Sequence, residues 1–277
     1  MYETIISCNI LGKNLGDPEW IIVDSRYDLV DTSAGRLAYS REHIPGAVYV
    51  DLLEDLSGPP VTDCGRHPML TPDAMIKLFS HLGIKNDRQV VVYDDSNGGI
   101  AGRLWWMLRY MGHQSVAVLD GGWREWKNSG YKTEAGVKTN MAVRFEGQPK
   151  ADRMVLLDQI TEKEFLVDSR DPARYRGENE PIDRVPGHIP GAVNRFWQNN
   201  LTTEGRFKEP ARLKQEFVEL LANANPENIV FYCGSGVTAC HNLLAMVHAG
   251  MIDGKLYSGS WSEWCSDPAR PVATTDS

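Results

Sequence analysis

The chain of 277 residues repeats itself once, and this repeat constrains its fold more than any other feature. Three short motifs occur twice, in the same order and at nearly constant offsets. They are Val-Asp-Ser-Arg at residues 23–26 and 167–170, His-Ile-Pro-Gly-Ala-Val at 43–48 and 188–193, and Gly/Ser-Trp-x-Glu-Trp at 122–126 and 260–264. Chance is a poor explanation for three ordered matches, so we predict two copies of one domain. The copies cover residues 1–135 and 153–277, and the polar segment 136–152 is expected to be a linker.

Within each copy, short apolar runs alternate with amphipathic segments, which indicates that strands alternate with helices. The predicted strands are Trp20 to Asp24, Gln89 to Tyr93, Ser115 to Leu119, Phe165 to Asp168, Ile229 to Tyr232 and Lys255 to Tyr257. The predicted helices are Pro72 to Leu82, Ile100 to Met111, Pro210 to Ala222 and Thr238 to Ala249. This alternation predicts an α/β fold in which each copy is a mainly parallel sheet flanked by helices.

Charge and composition exclude several classes of function. The net charge of −8 argues against a nucleic-acid partner. No apolar run approaches the length of a membrane span, and the N-terminus has no basic region followed by a long apolar core, so neither a membrane nor a signal peptide is expected. The five cysteines are odd in number and scattered, which favours reduced thiols in the cytoplasm over a disulfide framework.

The segment Cys233 to Ala239, with the sequence Cys-Gly-Ser-Gly-Val-Thr-Ala, carries the clearest functional signal. It lies directly after an apolar strand and directly before a helix that is expected to end at Gly250. A helix N-terminus and successive backbone N–H groups bind anions, and such sites lower the pKa of a thiol. The position therefore predicts that Cys233 is a thiolate nucleophile in an anion-binding loop.

The two copies differ at this position. Tyr93-Asp94 in the first copy aligns with Tyr232-Cys233 in the second, and the loop that follows Asp94 contains no thiol. Because a carboxylate cannot do thiolate chemistry, we predict that the first copy is a degenerate scaffold and that the second copy is catalytic.

The tandem copies, with their Asp-Ser-Arg, His-Ile-Pro-Gly-Ala and Gly-Ser-Trp-Ser-Glu-Trp motifs, resemble the two-domain rhodaneses. The loop at Cys233 is similar to the active loop of the 3-mercaptopyruvate sulfurtransferases, because Ser235 and Gly236 stand where thiosulfate sulfurtransferases carry basic residues. The resemblance implies that sulfur moves from a small anionic donor, 3-mercaptopyruvate or thiosulfate, to a persulfide on Cys233. A thiol, a small redox protein or cyanide then accepts it, without a metal or an organic cofactor.

The resemblance also implies a set of site residues. Arg174 matches a substrate-binding arginine, and Arg184 is the match for a second one, which Arg176 could replace. The persulfide and the donor are expected to meet the backbone N–H groups of Gly234, Ser235, Gly236, Val237 and Thr238.

Ser235 is expected to donate a hydrogen bond to the donor carbonyl or to help move a proton. In the mercaptopyruvate branch this serine works with a histidine whose best match is His43. A histidine precedes Pro-Gly in both copies, however, which favours a structural turn role for His43. Cys240 lies in the first turn of the predicted helix, where a core position is favoured over a role as a resolving thiol.

Two other classes of function are compatible with parts of the pattern. A phosphatase of the Cys-x5-Arg type uses a similar loop, but Ala239 occupies the position of its phosphate-binding arginine. A non-catalytic sulfur carrier or interaction module would accept sulfur on Cys233 without multiple turnover. Mass analysis after incubation with a donor, combined with turnover measurements, separates these alternatives.

Overall fold

The computed structural model describes residues 1–61, 64–222 and 224–274. They form two compact units. The first unit comprises Met1–Ser57, Leu70–Lys150 and Thr203–Phe207, and the second comprises Gly58–Met69, Ala151–Thr202 and Lys208–Ser277. The units therefore differ from the expected continuous domains, because two short segments group with the other repeat.

Most of the segment 136–152, expected to be a linker, belongs to the first unit. Phe145 is buried and packs edge-on against Phe79, with ring centroids 5.0 Å apart. The backbone N–H of Val143 donates to the carbonyl of Ser80 at 2.9 Å. Burial of the Phe145 ring stabilises the packing of this segment on the first unit, although the polar composition of the segment is typical of a loop.

The first unit contains a five-stranded parallel sheet with the strand order β1-β5-β4-β2-β3. Its strands are β1 (Ile5–Ile6), β2 (Trp20–Asp24), β3 (Val48–Tyr49), β4 (Gln89–Tyr93) and β5 (Val116–Leu119). Its helices are α1 (Cys8–Lys13), α2 (Ala34–Arg41), α3 (Pro72–His81), α4 (Ala101–Tyr110) and α5 (Gly122–Asn128).

The second unit repeats this topology, with the strand order β6-β10-β9-β7-β8 and parallel pairing throughout. Its strands are β6 (Met154–Val155), β7 (Phe165–Asp168), β8 (Val193–Asn194), β9 (Ile229–Tyr232) and β10 (Lys255–Tyr257). Its helices are α6 (Pro172–Arg176), α7 (Pro210–Leu220), α8 (Ala239–His248) and α9 (Ser260–Trp264). Short 3-10 turns occur at Ala151–Arg153, Leu157–Gln159, Trp197–Asn200 and Pro226–Asn228.

The predicted fold class is confirmed, since both units are parallel sheets flanked by helices. Five of the six predicted strands begin and end where expected, and the sixth starts one residue later, at Val116. Two-residue strands at both edges of each sheet were not predicted, because two residues show no periodicity. Among the described residues, no helix combines the length and apolar character needed to cross a bilayer.

Local sequence signals account for where the longer helices begin and end. Thr71 precedes α3 and accepts a hydrogen bond from the N–H of Ala74 at 3.3 Å, while Pro72 occupies the first turn. A proline there fits because its missing N–H would have no partner in the helix. Helix α8 ends before Gly250, whose φ of +71° suits a residue without a Cβ.

The Asp-Ser-Arg and Trp motifs form the same internal contact in both units. The arginine folds back onto the aspartate of its own motif at 2.6 Å and lies over the motif tryptophan, 4.5 Å from the ring in the first unit and 4.7 Å in the second. The residues involved are Asp24, Arg26 and Trp123 in the first unit, and Asp168, Arg170 and Trp261 in the second. These ion pairs are buried, and the repeated residues that form them therefore have the same structural role in each unit.

Candidate active site

The residues from Cys233 to Thr238 connect β9 to α8 at the carboxyl edge of the second sheet, where parallel sheets bind ligands. Helix α9 fixes this loop from one side. The N–H of Trp261 donates to the carbonyl of Cys233 at 3.0 Å, and the N–H of Ser262 donates to that of Gly234 at 2.9 Å. The loop is therefore held by backbone hydrogen bonds, while the N–H groups of Ser235 and Val237 are directed at the thiol.

Ser260 fixes the backbone of Cys233 itself. The N–H of Cys233 donates to the Ser260 hydroxyl oxygen at 3.1 Å, and that hydroxyl donates to the carbonyl of Tyr257 at 2.9 Å. Ser260 is fully buried and has a φ of +57°, a left-handed conformation that costs free energy for a residue with a Cβ. The Ser260 hydroxyl therefore links the backbone N–H of Cys233 to the carbonyl of Tyr257, and it does so from a strained backbone position.

The Cys233 thiol has an environment that favours its ionised form. It is only 2% exposed. Burial by itself would raise the pKa, but hydrogen bonds from the Thr238 side chain and from the N–H groups of Ser235, Ala239 and Val237 outweigh it and hold the pKa below that of an ordinary thiol. The sulfur atom thus occupies the centre of a ring of hydrogen-bond donors, which suits a thiolate or a persulfide anion.

Gly236 is required by the shape of the loop. Its φ is +73°, and a Cβ at this position would overlap the carbonyl oxygen of Ser258. The thiol of Cys240 donates to the carbonyl of Gly236 at 3.4 Å and is fully buried. Cys240 therefore contacts the back of the loop from the first turn of α8.

A histidine that the sequence did not single out contacts Ser235. His67 Nδ1 lies 2.7 Å from the Ser235 hydroxyl oxygen, and both side chains are 7% exposed. His67 belongs to the segment Gly58–Met69, which groups with the second unit although it lies inside the first repeat of the sequence. The one available signal was that His67, unlike His43, has no counterpart in the repeated motifs.

His43 does not occupy that position. Its Nδ1 lies 2.8 Å from the carbonyl of Tyr39, and its ring stacks on the Tyr39 ring with a centroid distance of 4.3 Å. His188 makes the equivalent contacts with Tyr175, at 2.7 Å and 3.8 Å. The repeated histidine thus packs in the same way in both units, while the histidine beside Ser235 is His67.

Two guanidinium groups lie beside Gly234. A Cβ on Gly234 would lie 2.8 Å from Nη2 of Arg66 and 3.4 Å from Nη2 of Arg174. Arg174 was expected near the loop from the resemblance, whereas Arg66 was not expected there. The close approach also explains why glycine stands at position 234, because a side chain would displace both arginines.

Carboxylates orient these arginines. Arg174 binds Glu180 through Nε at 3.1 Å and Asp183 through Nη2 at 2.9 Å. Arg66 forms an ion pair with the same Asp183 through Nη1. Asp183 therefore bridges the two cations, one carboxylate oxygen on each.

Arg184, the predicted second substrate arginine, is exposed. Among the described residues, no hydrogen bond or ion pair connects its guanidinium to the loop at residues 233–238. It lines a cavity of about 290 Å³ together with Arg66, Ser262 and Cys265. Its substrate role stays a prediction.

The corresponding loop of the first unit already contains an anion. The fully buried Asp94 carboxylate accepts four backbone hydrogen bonds. Ser96 and Gly98 donate to Oδ1 at 3.0 and 2.8 Å, and Ile100 and Ala101 donate to Oδ2 at 2.8 Å each. This loop is a complete anion-binding site filled by its own side chain.

Comparison with known proteins gives a consistent result. The Rhodanese-like domain family matches residues 7–129 and 153–267, and therefore most of the chain. A probable 3-mercaptopyruvate sulfurtransferase from Pseudomonas aeruginosa is 43% identical over 281 residues, covering 98% of this chain and 98% of that protein. A thiosulfate sulfurtransferase from Rattus norvegicus is 33% identical and covers 95% of this chain and 92% of its own.

A solved structure extends this similarity to the fold. The 3-mercaptopyruvate sulfurtransferase from Leishmania major superimposes with a TM-score of 0.85 at 30% identity, over 95% of this chain and 74% of that one. Two of these three proteins are thus named as 3-mercaptopyruvate sulfurtransferases, and the third is named as a thiosulfate sulfurtransferase.

Proposed function

Because the chain belongs to the rhodanese family and is a sulfurtransferase, we propose that it prefers 3-mercaptopyruvate to thiosulfate and holds the sulfur as a persulfide on Cys233. The observation that carries this proposal is the 2.7 Å contact between His67 and Ser235, next to a thiol with a lowered pKa. A polar pair at this point suits a donor with a carbonyl oxygen.

In the first step, the Cys233 thiolate attacks the thiol sulfur of 3-mercaptopyruvate. A sulfur–sulfur bond forms, the carbon–sulfur bond breaks, and the electron pair of the broken bond leaves with the carbon as pyruvate enolate. A proton added to the enolate carbon yields pyruvate, and the persulfide on Cys233 releases a proton in turn. This is covalent catalysis, in which one difficult transfer becomes two easier ones.

Ser235 and His67 stabilise the charge that develops during this step. As the carbon–sulfur bond breaks, negative charge grows on the former carbonyl oxygen. If His67 Nδ1 carries the proton, it donates to the Ser235 oxygen and leaves the serine hydroxyl proton free for the enolate oxygen. A donor aimed at a developing oxyanion lowers the barrier more than it strengthens ground-state binding.

The backbone of the loop holds the sulfur between the two steps. The N–H groups and the Thr238 side chain that lower the Cys233 pKa also suit the negative persulfide. In the second step an acceptor thiolate attacks the outer sulfur, the sulfur–sulfur bond breaks, and Cys233 returns to a thiolate. Small thiols and the exposed thiol of a small redox protein both fit this chemistry, and cyanide would yield thiocyanate.

The free thiols of the chain favour a reducing compartment, and we place the protein in the cytoplasm. All five cysteines are free thiols. An ionised nucleophilic thiol would be oxidised where disulfides form readily.

Thiosulfate is the second candidate donor, favoured by the two guanidinium groups beside Gly234. The Cys233 thiolate would attack its outer sulfur and release sulfite. Such a donor has no carbonyl oxygen for Ser235 to stabilise, so the two donors can be distinguished by mutation.

The test compares kcat/KM for both donors in the wild-type protein and in Ser235→Ala and His67→Ala. For 3-mercaptopyruvate we expect each variant to lose about 100-fold, the typical effect of removing one oxyanion-stabilising donor. Thiosulfate is the internal control and should lose much less.

Two results would contradict the proposal. One is a higher wild-type kcat/KM for thiosulfate, and the other is an equal loss for both donors in Ser235→Ala. Mass spectrometry of the Cys233 peptide after exposure to a donor without acceptor should show one additional sulfur atom.

A further inference from the structure

A fully buried asparagine lies in the first turn of the helix that follows the Cys233 loop. Asn242 is the fourth residue of α8, and the residues after it, Leu243, Leu244 and Ala245, are buried and apolar. An amide group in such surroundings costs free energy unless its polar atoms have partners. An apolar side chain would be buried here without that cost, so the asparagine calls for a specific reason.

Every polar atom of the Asn242 side chain has a buried partner. Its Nδ2 donates to the Ser169 hydroxyl oxygen at 3.0 Å and to the carbonyl of Arg195 at 2.9 Å. Its Oδ1 accepts from Nδ2 of Asn200 at 2.7 Å. Turning the amide over would set Oδ1 against the Arg195 carbonyl oxygen, so the partners fix one orientation of the side chain.

Ser169 connects this asparagine to the strand that precedes Cys233. The backbone N–H of Ser169 donates to the carbonyl of Tyr232 at 2.8 Å, while its hydroxyl accepts from Asn242. Ser169 is fully buried and belongs to the repeated Asp-Ser-Arg motif. The Ser169–Asn242 pair therefore joins the end of β9 to the first turn of α8, beneath the loop that runs between them.

The first unit has the same serine without this connection. The N–H of Ser25 donates to the carbonyl of Tyr93 at 2.8 Å, and the Ser25 hydroxyl donates to that same carbonyl at 3.0 Å. The fourth residue of α4 is Leu104, which is fully buried and has no polar side-chain atom. The added link between strand and helix thus occurs in the unit whose loop carries a thiol.

The distance between strand and helix matters because the thiol and its donors come from opposite sides of the loop. Cys233 follows the last residue of β9. The Thr238 side chain and the N–H groups of Val237 and Ala239, which donate to the sulfur, lie at the start of α8. Hydrogen bonds weaken steeply when donor and acceptor are misaligned. A shift of α8 relative to β9 would therefore weaken several donors at once.

We propose that Ser169 and Asn242 are positioning residues for sulfur transfer, which fix α8 against the end of β9 and so direct the loop donors at the Cys233 sulfur. Both act through the loop and contact its backbone and helix, whereas the sulfur is bound by the loop itself. Asn200 and the Arg195 carbonyl hold Asn242 in the required orientation. The inference rests on the proposed function, since it concerns the nucleophile of that same reaction.

The experiment measures alkylation of the Cys233 peptide by iodoacetamide as a function of pH, so it needs no donor. In Ser169→Ala a less stabilised thiolate has a higher pKa, which shifts the profile toward higher pH. At pH 7 we expect alkylation to be about 3- to 10-fold slower, equivalent to a rise of up to about one pKa unit. Asn242→Leu introduces the residue of the first unit and should shift the profile further, because it removes all three hydrogen bonds of the amide.

Two further variants separate positioning from a general loss of stability. Ser25→Ala is the matched control, because it removes the equivalent buried hydroxyl from the first unit. It should lower the melting temperature about as much as Ser169→Ala does and leave the Cys233 profile unchanged. The double variant Ser169→Ala/Asn242→Leu should match Asn242→Leu alone, since the hydrogen bond that the two residues share can be lost only once.

The outcomes also separate this inference from the proposed function. The inference is wrong if the Cys233 profile is unchanged in Ser169→Ala and Asn242→Leu, or if Ser25→Ala shifts it equally. If one of the two variants does not fold, as judged by circular dichroism, the other decides. Failure of wild-type Cys233 to take up sulfur from either donor would overturn the proposed function instead, whatever the alkylation profiles show.

Discussion

The loops that follow β4 and β9 occupy equivalent places in the two sheets, yet one surrounds a carboxylate and the other a thiol whose pKa is lowered. In both, the N–H of the repeated tryptophan donates to the carbonyl of the first loop residue, at 2.8 Å for Trp123 and Asp94 and at 3.0 Å for Trp261 and Cys233. In the first unit the backbone donors are used by a permanent carboxylate, and in the second they surround a thiol. The fold therefore provides an anion-binding loop in both units, and the residue at its start decides whether the anion can react.

A second comparison shows that a helix N-terminus is not enough to ionise a thiol. Cys8 is the first residue of α1 and is as inaccessible as a core residue, and its pKa is raised to about 12 by burial, with further contributions from Glu125 and Asp120. Cys233 is also buried, yet its pKa is lowered. The difference lies in the hydrogen-bond donors aimed at the Cys233 sulfur and in the two carboxylates near Cys8.

The largest expected effect comes from removing the reactive anion. Cys233→Ser should lose at least about 1,000-fold in sulfur transfer, because a serine hydroxyl does not ionise near neutral pH and removing a nucleophile abolishes the covalent route. Cys240→Ser is the matched control on the same loop and helix, since a hydroxyl can also donate to the Gly236 carbonyl. Steady-state assays with both donors check this, and an equal loss in the two variants would break the comparison.

The next largest expected effect is a decrease in the free energy of unfolding of the first unit. Asp94→Ala leaves four N–H donors without their acceptor. Since one unsatisfied buried donor costs about 1–3 kcal/mol and water can enter the space left by the side chain, we expect a loss of about 3 kcal/mol. Urea denaturation, with amide exchange at residues 96–101, measures it. The exposed neighbour Asp95→Ala is the control, and a similar cost in both variants would show that the loop does not depend on its resident carboxylate.

The smallest expected effect is on the pKa of Cys233, and it tests which hydrogen bonds stabilise the thiolate. Thr238→Val removes the first of the hydrogen bonds that lower the Cys233 pKa while keeping the side-chain volume. A less stabilised thiolate has a higher pKa, so the thiolate fraction at pH 7 falls and alkylation by iodoacetamide should slow several-fold. The pH–rate profile of Cys233 should then shift toward higher pH. Cys8 serves as the internal reference and should stay unreactive near neutrality in both proteins, whereas an unchanged Cys233 profile would assign the effect to the backbone alone.

Much of this protein is determined by local sequence. Repeated motifs predicted two similar units, and the runs at Trp20, Gln89, Phe165 and Ile229 predicted central strands at their observed bounds, because a strand buried on both faces is a continuous apolar run between turn residues. The loop at Cys233 was equally visible, since a strand, glycines and a helix start follow one another in one short segment.

The tertiary structure alone decided which distant residues serve that loop. His67 contacts Ser235 across 168 positions of sequence, and Arg66 beside it approaches Gly234, whereas the motif histidine His43 packs on Tyr39. Such contacts leave no periodic signal, because a single side chain that reaches a site through space imposes no pattern on its own neighbours. The loop that carries Cys233 is therefore determined by local sequence, and the distant side chains that surround it are determined by how the chain folds.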